Sequence, residues 1–173
     1  MKIAFISGVF FPQPGGAQVQ THNLANTLVN KGHTVDVFIF NKTNIKNNLY
    51  KIILINKLII SLFFYLDLYL KVDLSIIFRQ YLKFIIKKNK YDIFHFQLLN
   101  FKSLYILKAL KSLNQKIIVT FHGIDIQIDK NINYGYRLNN NYEIRLNNLL
   151  NNIDIFFSIS KNIYKDLIEL GVQ

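Results

Sequence analysis

Lys2-Ile-Ala-Phe-Ile-Ser7 is a short apolar run at the start of the chain, and the segments that follow it decide the fold. A turn-rich loop, residues 8–16, leads into a helical pattern over residues 17–31, and a second apolar run occupies residues 34–40. A strand, a loop, a helix and a strand in this order predict one parallel crossover unit. The loop then meets a helix N-terminus at the carboxyl edge of a buried strand, where α/β sheets bind ligands and helix N-termini attract anions.

The rest of the chain continues the alternation of strands and helices. Further strands are predicted over residues 49–55, 92–96, 116–121 and 153–159. Helices are predicted over residues 57–71, 73–89 with Asp73 as N-cap, 103–113, 137–151, and 161–170 with Ser160 as N-cap. This alternation predicts an α/β domain with a Rossmann-like parallel sheet and helices on both faces, and a length of 173 residues suits one such domain.

The composition is strongly basic, with a formal net charge of +11 and a pI near 9.7. Such a charge favours an anionic partner: nucleic acid, an acidic membrane surface or a phosphorylated ligand. The alternative is that the abundance of Ile, Asn, Lys, Tyr and Phe reflects an AT-rich genome. Hydrophobic residues make up 51% of the chain, which argues against disorder. The chain has no cysteine, so it forms no disulfides, and a reducing compartment such as the cytoplasm fits.

The sequence predicts neither a secretory signal nor a membrane span. Lys2 is followed by only a few apolar residues before Pro12, without a small-residue cleavage site. The most apolar stretch, residues 52–70, is interrupted by Lys57 and Asp67 among other polar residues. Its purest part, residues 58–66, is far shorter than the roughly 20 residues that a spanning helix needs.

The first candidate binding element is Gly15-Gly16, at the start of the first predicted helix. Glycine allows a ligand to approach the backbone closely and permits a positive φ, and the helix dipole favours a phosphate or carboxylate there. The alternative is a tight turn between a strand and a helix. The loop matches neither the G-x-G-x-x-G fingerprint nor a Walker loop, which weighs against NAD and ATP.

The second candidate is His122-Gly123-Ile124-Asp125, which directly follows an apolar strand and therefore lies at the same carboxyl edge. His122 can donate or accept a hydrogen bond near neutral pH, and Gly123 leaves space beside it. Asp125 can accept hydrogen bonds from sugar hydroxyls. The alternative is a packed histidine whose ring is satisfied locally.

The remaining histidines are interpreted mainly as structural residues. His95 and Gln97 end the strand predicted over residues 92–96 and can line the same edge, although a buried, satisfied His95 is favoured over a ligand. His22 lies on the first helix and His33 follows its glycine stop, so both are interpreted as structural. The spacing of the four histidines suggests no metal site, and the H-E-x-x-H motif is absent from the sequence.

The helix predicted over residues 73–89 is basic and amphipathic. Arg79, Lys83 and Lys87 recur every four residues, opposite an apolar side. This pattern suits contact with anionic lipid at the inner membrane face, but an ordinary core-facing helix with a solvated side is the favoured interpretation. Nucleic acid is not expected, because the aromatic residues fall in core-like patterns rather than on an RNA-binding strand.

Together, these segments resemble the N-terminal half of family 4 glycosyltransferases. The resemblance is carried, in order along the chain, by the start from Lys2 to Pro12 with Gly15-Gly16, by Asn23 to Val35, by Tyr91-Asp-Ile-Phe-His95, by Val119-Thr-Phe-His-Gly-Ile-Asp125 and by Asp154 to Ser160. These matches span almost the whole chain in the order that the family shows, so they are more specific together than any one of them alone.

The resemblance implies one half of a GT-B enzyme, in which two Rossmann-like domains face each other across a cleft. Residues 1–173 would form the N-terminal, acceptor-side domain, and the donor-binding C-terminal domain would be absent. The implied reaction is glycosyl transfer with retention and without a required metal, using a nucleotide-sugar as co-substrate rather than a cofactor. By analogy, Gly15-Gly16 would approach the donor phosphates, His122 would contact the reacting sugar with Asp125 nearby, and Ser160 would lie towards the other domain.

The chain also departs from the family pattern. Its only glutamates, Glu143 and Glu169, do not form the Glu-x₇-Glu motif of the donor half, and Gln97 stands where many relatives have a second histidine. The chain alone is therefore expected not to transfer sugar. The alternatives are a stand-alone binding or scaffold module that pairs with a separate donor-half subunit, a phosphate-binding α/β enzyme such as a sugar epimerase, and a peripheral membrane protein.

Overall fold

A computed structural model of the chain describes residues 1–11, 15–70 and 75–172, and it contains six strands and six α-helices within those ranges. The strands are β1 (Lys2–Ser7), β2 (Thr34–Ile39), β3 (Lys51–Leu54), β4 (Ile93–Gln97), β5 (Ile117–Phe121) and β6 (Ile155–Ser158). The helices are α1 (Gly16–Asn30), α2 (Lys57–Leu70), α3 (Ser75–Asn89), α4 (Phe101–Lys111), α5 (Asn140–Leu150) and α6 (Lys161–Glu169), with a short 3₁₀ turn at Tyr136–Leu138.

The six strands form one parallel sheet in the order β3-β2-β1-β4-β5-β6. The chain moves outward in one direction from β1 to β3 and then restarts on the other side of β1 with β4. This reversal makes the junction of β1 and β4 the switch point of the sheet, where open α/β sheets form a crevice at the carboxyl ends of the strands. The predicted parallel Rossmann-like sheet is confirmed.

Helices cover both faces of the sheet, as predicted. On one face, α1 packs on β1 and β2 through a small core that includes Phe5, Val37 and Ala25. On the opposite face, a larger core joins Phe96 and Phe121 to the remaining helices, α2 to α6. The alternation of side chains along each strand feeds these two cores separately, since successive residues point to opposite faces.

Most predicted elements are present, but several begin at other residues because short polar side chains cap them. Asn100 accepts a hydrogen bond from the backbone N–H of Ser103 at 2.9 Å, so α4 starts two residues before the predicted position. Asn139 caps α5 in the same way and separates it from the preceding 3₁₀ turn, so α5 starts three residues after the predicted position. Ser160 caps α6 as predicted.

The stretch 52–70 divides between the end of β3 and all of α2, with Ile60 and Phe64 of α2 buried in the structure. Nowhere in the described ranges does a helix combine the length and the apolar character that crossing a membrane requires. The predicted N-cap Asp73 and the predicted helix end Lys71 lie outside the described residues.

Candidate functional site

Three strand ends meet at the centre of the carboxyl edge of the sheet. The register places Ser7 of β1 beside Gln97 of β4, and Gln97 beside Thr120 of β5. His122 follows β5 by one residue, so the sheet itself brings His122 to the end of the strand that carries His95 and Gln97. The two candidate segments that are distant in sequence are therefore one site.

A chain of hydrogen bonds, which we call the histidine relay, connects Thr120, His95, Gln97 and His122. His95 Nε2 lies 2.8 Å from Thr120 Oγ1 and 3.2 Å from the Gln97 amide nitrogen. The Gln97 amide oxygen lies 3.0 Å from His122 Nε2. Gln97 therefore joins the two rings through the two ends of its amide group.

Burial keeps both rings of the relay neutral. It lowers the pKa of His95 to about 4, with the neighbouring His122 contributing, and it also lowers the pKa of His122. In the assigned orientation, the Gln97 amide N–H donates to His95 Nε2, and His122 donates its Nε2–H to the Gln97 oxygen. His122 Nδ1 then carries a lone pair and acts as an acceptor on a half-buried side chain.

Asp125 holds the loop after β5 in place, and we call its set of contacts the Asp125 clamp. Its carboxylate accepts hydrogen bonds from the backbone N–H groups of His122 and Gly123 on one oxygen and of Leu99 on the other, each at 3.0 Å. Tyr142 also connects the loops that contain Leu99 and Asp125. Its hydroxyl donates to the carbonyl of Leu99 at 2.8 Å and lies 3.1 Å from the carbonyl of Asp125.

The clamp corrects the expectation that Asp125 accepts hydrogen bonds from a sugar. The side chain is fully buried, and its oxygens already accept backbone N–H groups, so it presents no surface to the crevice. Burial raises the pKa of Asp125 to about 6, whereas the N–H donors favour the ionised form. Asp125 thus positions His122 through the backbone instead of facing it across the site.

Gly123 and Leu98, which lie in the clamped loops, both have a positive φ. Gly123 has φ +110°, and a Cβ there would lie 3.0 Å from both Gln127 Oε1 and Tyr134 Oη, so glycine suits this position. Leu98 has φ 70°, which costs a non-glycine residue on the order of 1–2 kcal/mol. Its N–H donates to the carbonyl of Thr120 at 3.1 Å, and the clamp fixes the next residue, so the surrounding contacts hold this strained turn.

Gly15 and Gly16 lie at the N-terminus of α1, as predicted, but neither has a positive φ. Gly15 has φ −175°, which is ordinary extended backbone, and nothing lies within 4 Å of a Cβ placed on Gly16. The positive φ that glycine permits is therefore not used here. Open space lies beside Gly16, whereas a Cβ on Gly15 would lie 2.5 Å from Gln18 Oε1. Residues 12–14 of the predicted loop lie outside the described residues.

A cleft of about 590 Å³ adjoins the histidine relay and was not predicted. It separates α1 from the outer strands, and its walls combine polar and apolar side chains: Gln20, Leu24, Leu28, His95, Thr120, Phe157, Ser158 and Ile159. The alternation in β6 could have revealed it, because Phe157 and Ile155 point to one face and remain exposed. Ser160, beyond this strand, has its hydroxyl engaged as the N-cap of α6.

The other histidines have structural partners. His22 Nδ1 accepts from the hydroxyl of Tyr50 at 2.7 Å, and burial raises the pKa of that hydroxyl to about 12, so Tyr50 is the donor. His33 Nδ1 lies 3.5 Å from the N-terminal amine. Among the described residues, His, Asp and Glu side chains do not gather in a group of three that could hold a metal ion.

The comparisons with known proteins agree with this architecture. The model of Glycosyltransferase Family 4 matches residues 14–173. No curated protein sequence matches the chain significantly. Among solved structures, a sucrose-phosphate synthase from Thermosynechococcus elongatus superposes with a TM-score of 0.68 at 16% identity, over 97% of this chain and 44% of that one. A UDP-GlcNAc 2-epimerase from Methanocaldococcus jannaschii superposes with a TM-score of 0.60 at 12% identity, over 100% of this chain and 43% of that one.

At these identities, the structural matches establish the fold: one half of a GT-B architecture, as expected from the sequence. The chain spans less than half the length of the solved structures that it matches.

We predict that Asp125→Asn destabilises the chain by about 2–3 kcal/mol, because the new amide NH₂ must face at least one of the backbone N–H donors and leaves it without an acceptor. Urea unfolding monitored by circular dichroism measures the change. The matched control is Asp129→Asn, since Asp129 is exposed and its carboxylate accepts from the nearby backbone N–H of Asn131. We expect the control to stay within about 0.5 kcal/mol of the natural chain, and equal losses in both variants would contradict the clamp.

We predict that Gln97→Glu raises the pKa of both His95 and His122 by on the order of one unit or more, because a carboxylate between the rings favours their charged forms. Ring ¹⁵N shifts during a pH titration measure both values and also report whether His122 carries its proton on Nε2. In the natural chain, the low pKa of His95 means that its contribution to stability is present above pH 6.5 and is lost as the pH falls through about 4. Gln115→Glu, away from the relay, is the control, and unchanged shifts in Gln97→Glu would refute the relay.

Proposed function

The chain belongs to glycosyltransferase family 4, and from that premise we propose that it forms the acceptor side of a retaining enzyme that transfers a sugar from a nucleotide-sugar. The acceptor class is a glycan, a lipid-linked sugar or a small molecule. The observation that carries the proposal is the histidine relay, which connects a neutral His122 to Gln97 on β4, one of the two strands at the switch point of the sheet. Parallel α/β sheets bind their ligands at this place.

In the proposed site, His122 contacts the reacting sugar. Its Nδ1 lone pair accepts a hydrogen bond from a sugar hydroxyl. Gln97, which also bonds to His95, orients the His122 ring through a hydrogen bond, and the buried Asp125 holds the backbone N–H of His122. His122 is thus the proposed catalytic residue, whereas Asp125, His95 and Gln97 are positioning residues.

The donor phosphates belong at the N-terminus of α1 in this proposal. The space above Gly16 leaves room for a phosphate, and the helix dipole stabilises the negative charge that develops on the departing nucleoside diphosphate. The transition state of glycosyl transfer is oxocarbenium-like, so stabilisation of the leaving group lowers its barrier. Neither a metal nor a further cofactor takes part in the proposed reaction, and Ser160 lies towards the donor-binding side.

We further propose that the donor sugar is held mainly by a second domain, either the remainder of a longer protein or a separate subunit. The solved structures of the same fold are more than twice as long as the part that this chain matches, which supports such a second half. The chain alone would then bind an acceptor without turning over a nucleotide-sugar. Cytoplasmic synthesis of cell-envelope polysaccharide is the setting that we propose for it.

The test of this function is binding of sugars to the 173-residue chain. Saturation-transfer NMR with a panel of monosaccharides and oligosaccharides should detect a bound sugar, and we expect His122→Ala to weaken it at least tenfold, as loss of a hydrogen bond to a polar ligand requires. His33→Ala is the control. Binding that survives His122→Ala, or turnover of a nucleotide-sugar by the chain alone, would refute the proposal, and epimerisation of the sugar would support the epimerase alternative.

Contact with an anionic membrane is a second part of the proposal, and an exposed apolar stripe on α2 supports it. Leu58, Leu62, Tyr65 and Tyr69 are 77%, 58%, 52% and 76% exposed, and their spacing places them on one face of the helix. Ile60 and Phe64, on the opposite face, are buried. A row of exposed leucine and tyrosine side chains is typical of a helix that lies at a lipid interface.

The neighbouring helix α3 contributes charge to this surface. Phe78 and Leu82 face the core, and Phe63 of α2 packs 6.3 Å from Phe78 between ring centres. Of the predicted membrane-facing residues, Lys83 and Lys87 are exposed and Arg79 is half-buried. Lysines beside an apolar stripe suit anionic lipid, whereas a second copy of this basic chain would bring like charges together.

We predict that the chain sediments with vesicles that contain phosphatidylglycerol and that Leu58→Ser with Leu62→Ser reduces this binding at least tenfold, because two exposed leucines lose their burial in lipid. The matched control changes Tyr164 and Ile168 to Ser, since these exposed residues have the same spacing on α6. Equal losses in both double variants, or no sedimentation of the natural chain, would exclude the α2 stripe as the contact.

A further inference from the structure

A second cavity lies at the carboxyl edge and has several hydrogen-bond donors in its lining. It has a volume of about 300 Å³ and lies where the loops after β1, β2 and β4 meet. Its lining includes Gly8, Asn41, Lys57, Asn100 and Lys102. An adjoining cavity of about 360 Å³ extends this space along the start of α2 and adds Lys42 and Asn56. We call the two together the lysine pocket.

Two positive charges converge on the lysine pocket. Burial and the nearby charge of Lys57 both lower the pKa of the half-buried Lys102. In the described ranges, the ion pairs join Lys2 to Asp36, Lys111 to Asp154 and Arg137 to Glu143, so Lys57 and Lys102 lack a carboxylate partner among the described residues. Two ammonium groups held close together repel each other, and a bound anion would offset this repulsion.

Asn100 adds a directed donor to these charges. Its oxygen is already occupied, because it accepts from the backbone N–H of Ser103 at 2.9 Å and from the Ser103 hydroxyl at 3.1 Å. Its Nδ2 lies over Gly8, where a Cβ would come within 2.2 Å of it. Glycine at position 8 therefore keeps the space beside the amide group open, and the pocket offers N–H groups where a ligand must supply acceptors.

We propose that the lysine pocket binds the phosphate group of the acceptor. A phosphate supplies negative charge and several acceptor oxygens, which complement Lys57, Lys102 and the Asn100 amide. Gln97 of the relay and Asn100 are three residues apart, so their Cα atoms are separated by at most about 11 Å. In this proposal, one phosphorylated sugar spans the pocket and His122.

The assignment of this phosphate to the acceptor rests on the proposed function, whereas phosphate binding by the pocket does not. A phosphorylated acceptor has two chemical sources: a soluble sugar phosphate or the head group of a phospholipid. Leu58 lines the adjoining cavity and also begins the apolar stripe on α2, so a lipid source would use both surfaces at once.

Titration of the chain with inorganic phosphate, followed by NMR, tests the pocket. We expect phosphate to raise the pKa of Lys102, because a neighbouring anion favours the charged ammonium group. Lys57→Gln should also raise the pKa of Lys102, through loss of a like charge, but should weaken phosphate binding about tenfold. These two opposite effects separate a binding role for Lys57 from a general disturbance of the fold.

Lys102→Gln should weaken phosphate binding by a similar factor, and the exposed Lys31→Gln and Lys130→Gln serve as controls. The pocket is refuted if phosphate leaves the pKa of Lys102 unchanged, or if all four variants bind phosphate equally. Failure of sugars to bind at His122 would refute the proposed function and leave this measurement intact, so the two failures are distinguishable.

Competition experiments then identify the source of the phosphate. Displacement of inorganic phosphate by glucose 6-phosphate supports a soluble acceptor. Displacement by phosphatidic acid vesicles that is weakened in the Leu58→Ser and Leu62→Ser double variant supports a lipid-linked acceptor. If neither displaces phosphate, the assignment of the pocket to an acceptor is overturned.

Discussion

The candidate site depends on one buried carboxylate. Asp125 accepts hydrogen bonds from backbone N–H groups of the loops after β4 and β5. His122 lies in the second of these loops, and the other relay residues lie on the two strands that precede the loops. A hydroxyl of Tyr142 on α5 joins the same loops through their carbonyl groups, so a helix from the opposite face of the sheet helps to set their spacing. Buried polar groups cost free energy unless they form hydrogen bonds. Here the hydrogen bonds of Asp125 and Tyr142 hold a backbone in which Leu98 has a strained, positive φ.

Much of the fold could be predicted from the sequence because its signals are local. The apolar run Lys2–Ser7, the glycine stop at Gly32 and the β-branched strand that precedes His122 each determine an element without help from distant residues. The order of these elements then fixes a parallel sheet with a known handedness of its crossovers. Once the strands are parallel, the polar residues that follow them must meet at one edge, so the convergence of His122 with Gln97 was accessible to reasoning on the sequence alone.

The finer features were not accessible because they arise from contacts between distant residues. Asp125 looked like a surface ligand, since nothing near it in the sequence shows that Leu99 and Tyr142 enclose it. Gly15 and Gly16 stand out in the sequence as a pair before a helix, whereas nothing near Gly8 in the sequence shows that it lies against Asn100, the cap of α4. The pairing of Lys57 with Lys102 depends on two helices that start at the same edge, and no spacing rule connects them.

The relay also gives the site a direction. Gln97 sets the polarity: its N–H donates to His95 Nε2 and its oxygen accepts from His122, so the Thr120 hydroxyl must also donate to His95 Nε2. With His122 Nε2–H given to Gln97, the other ring nitrogen of His122 is an acceptor and pairs with a group that donates a proton. Under the proposed function, a sugar analogue with fluorine in place of that hydroxyl would keep its size but lose this hydrogen bond, so contacts inside the sheet would influence which ligand its edge prefers.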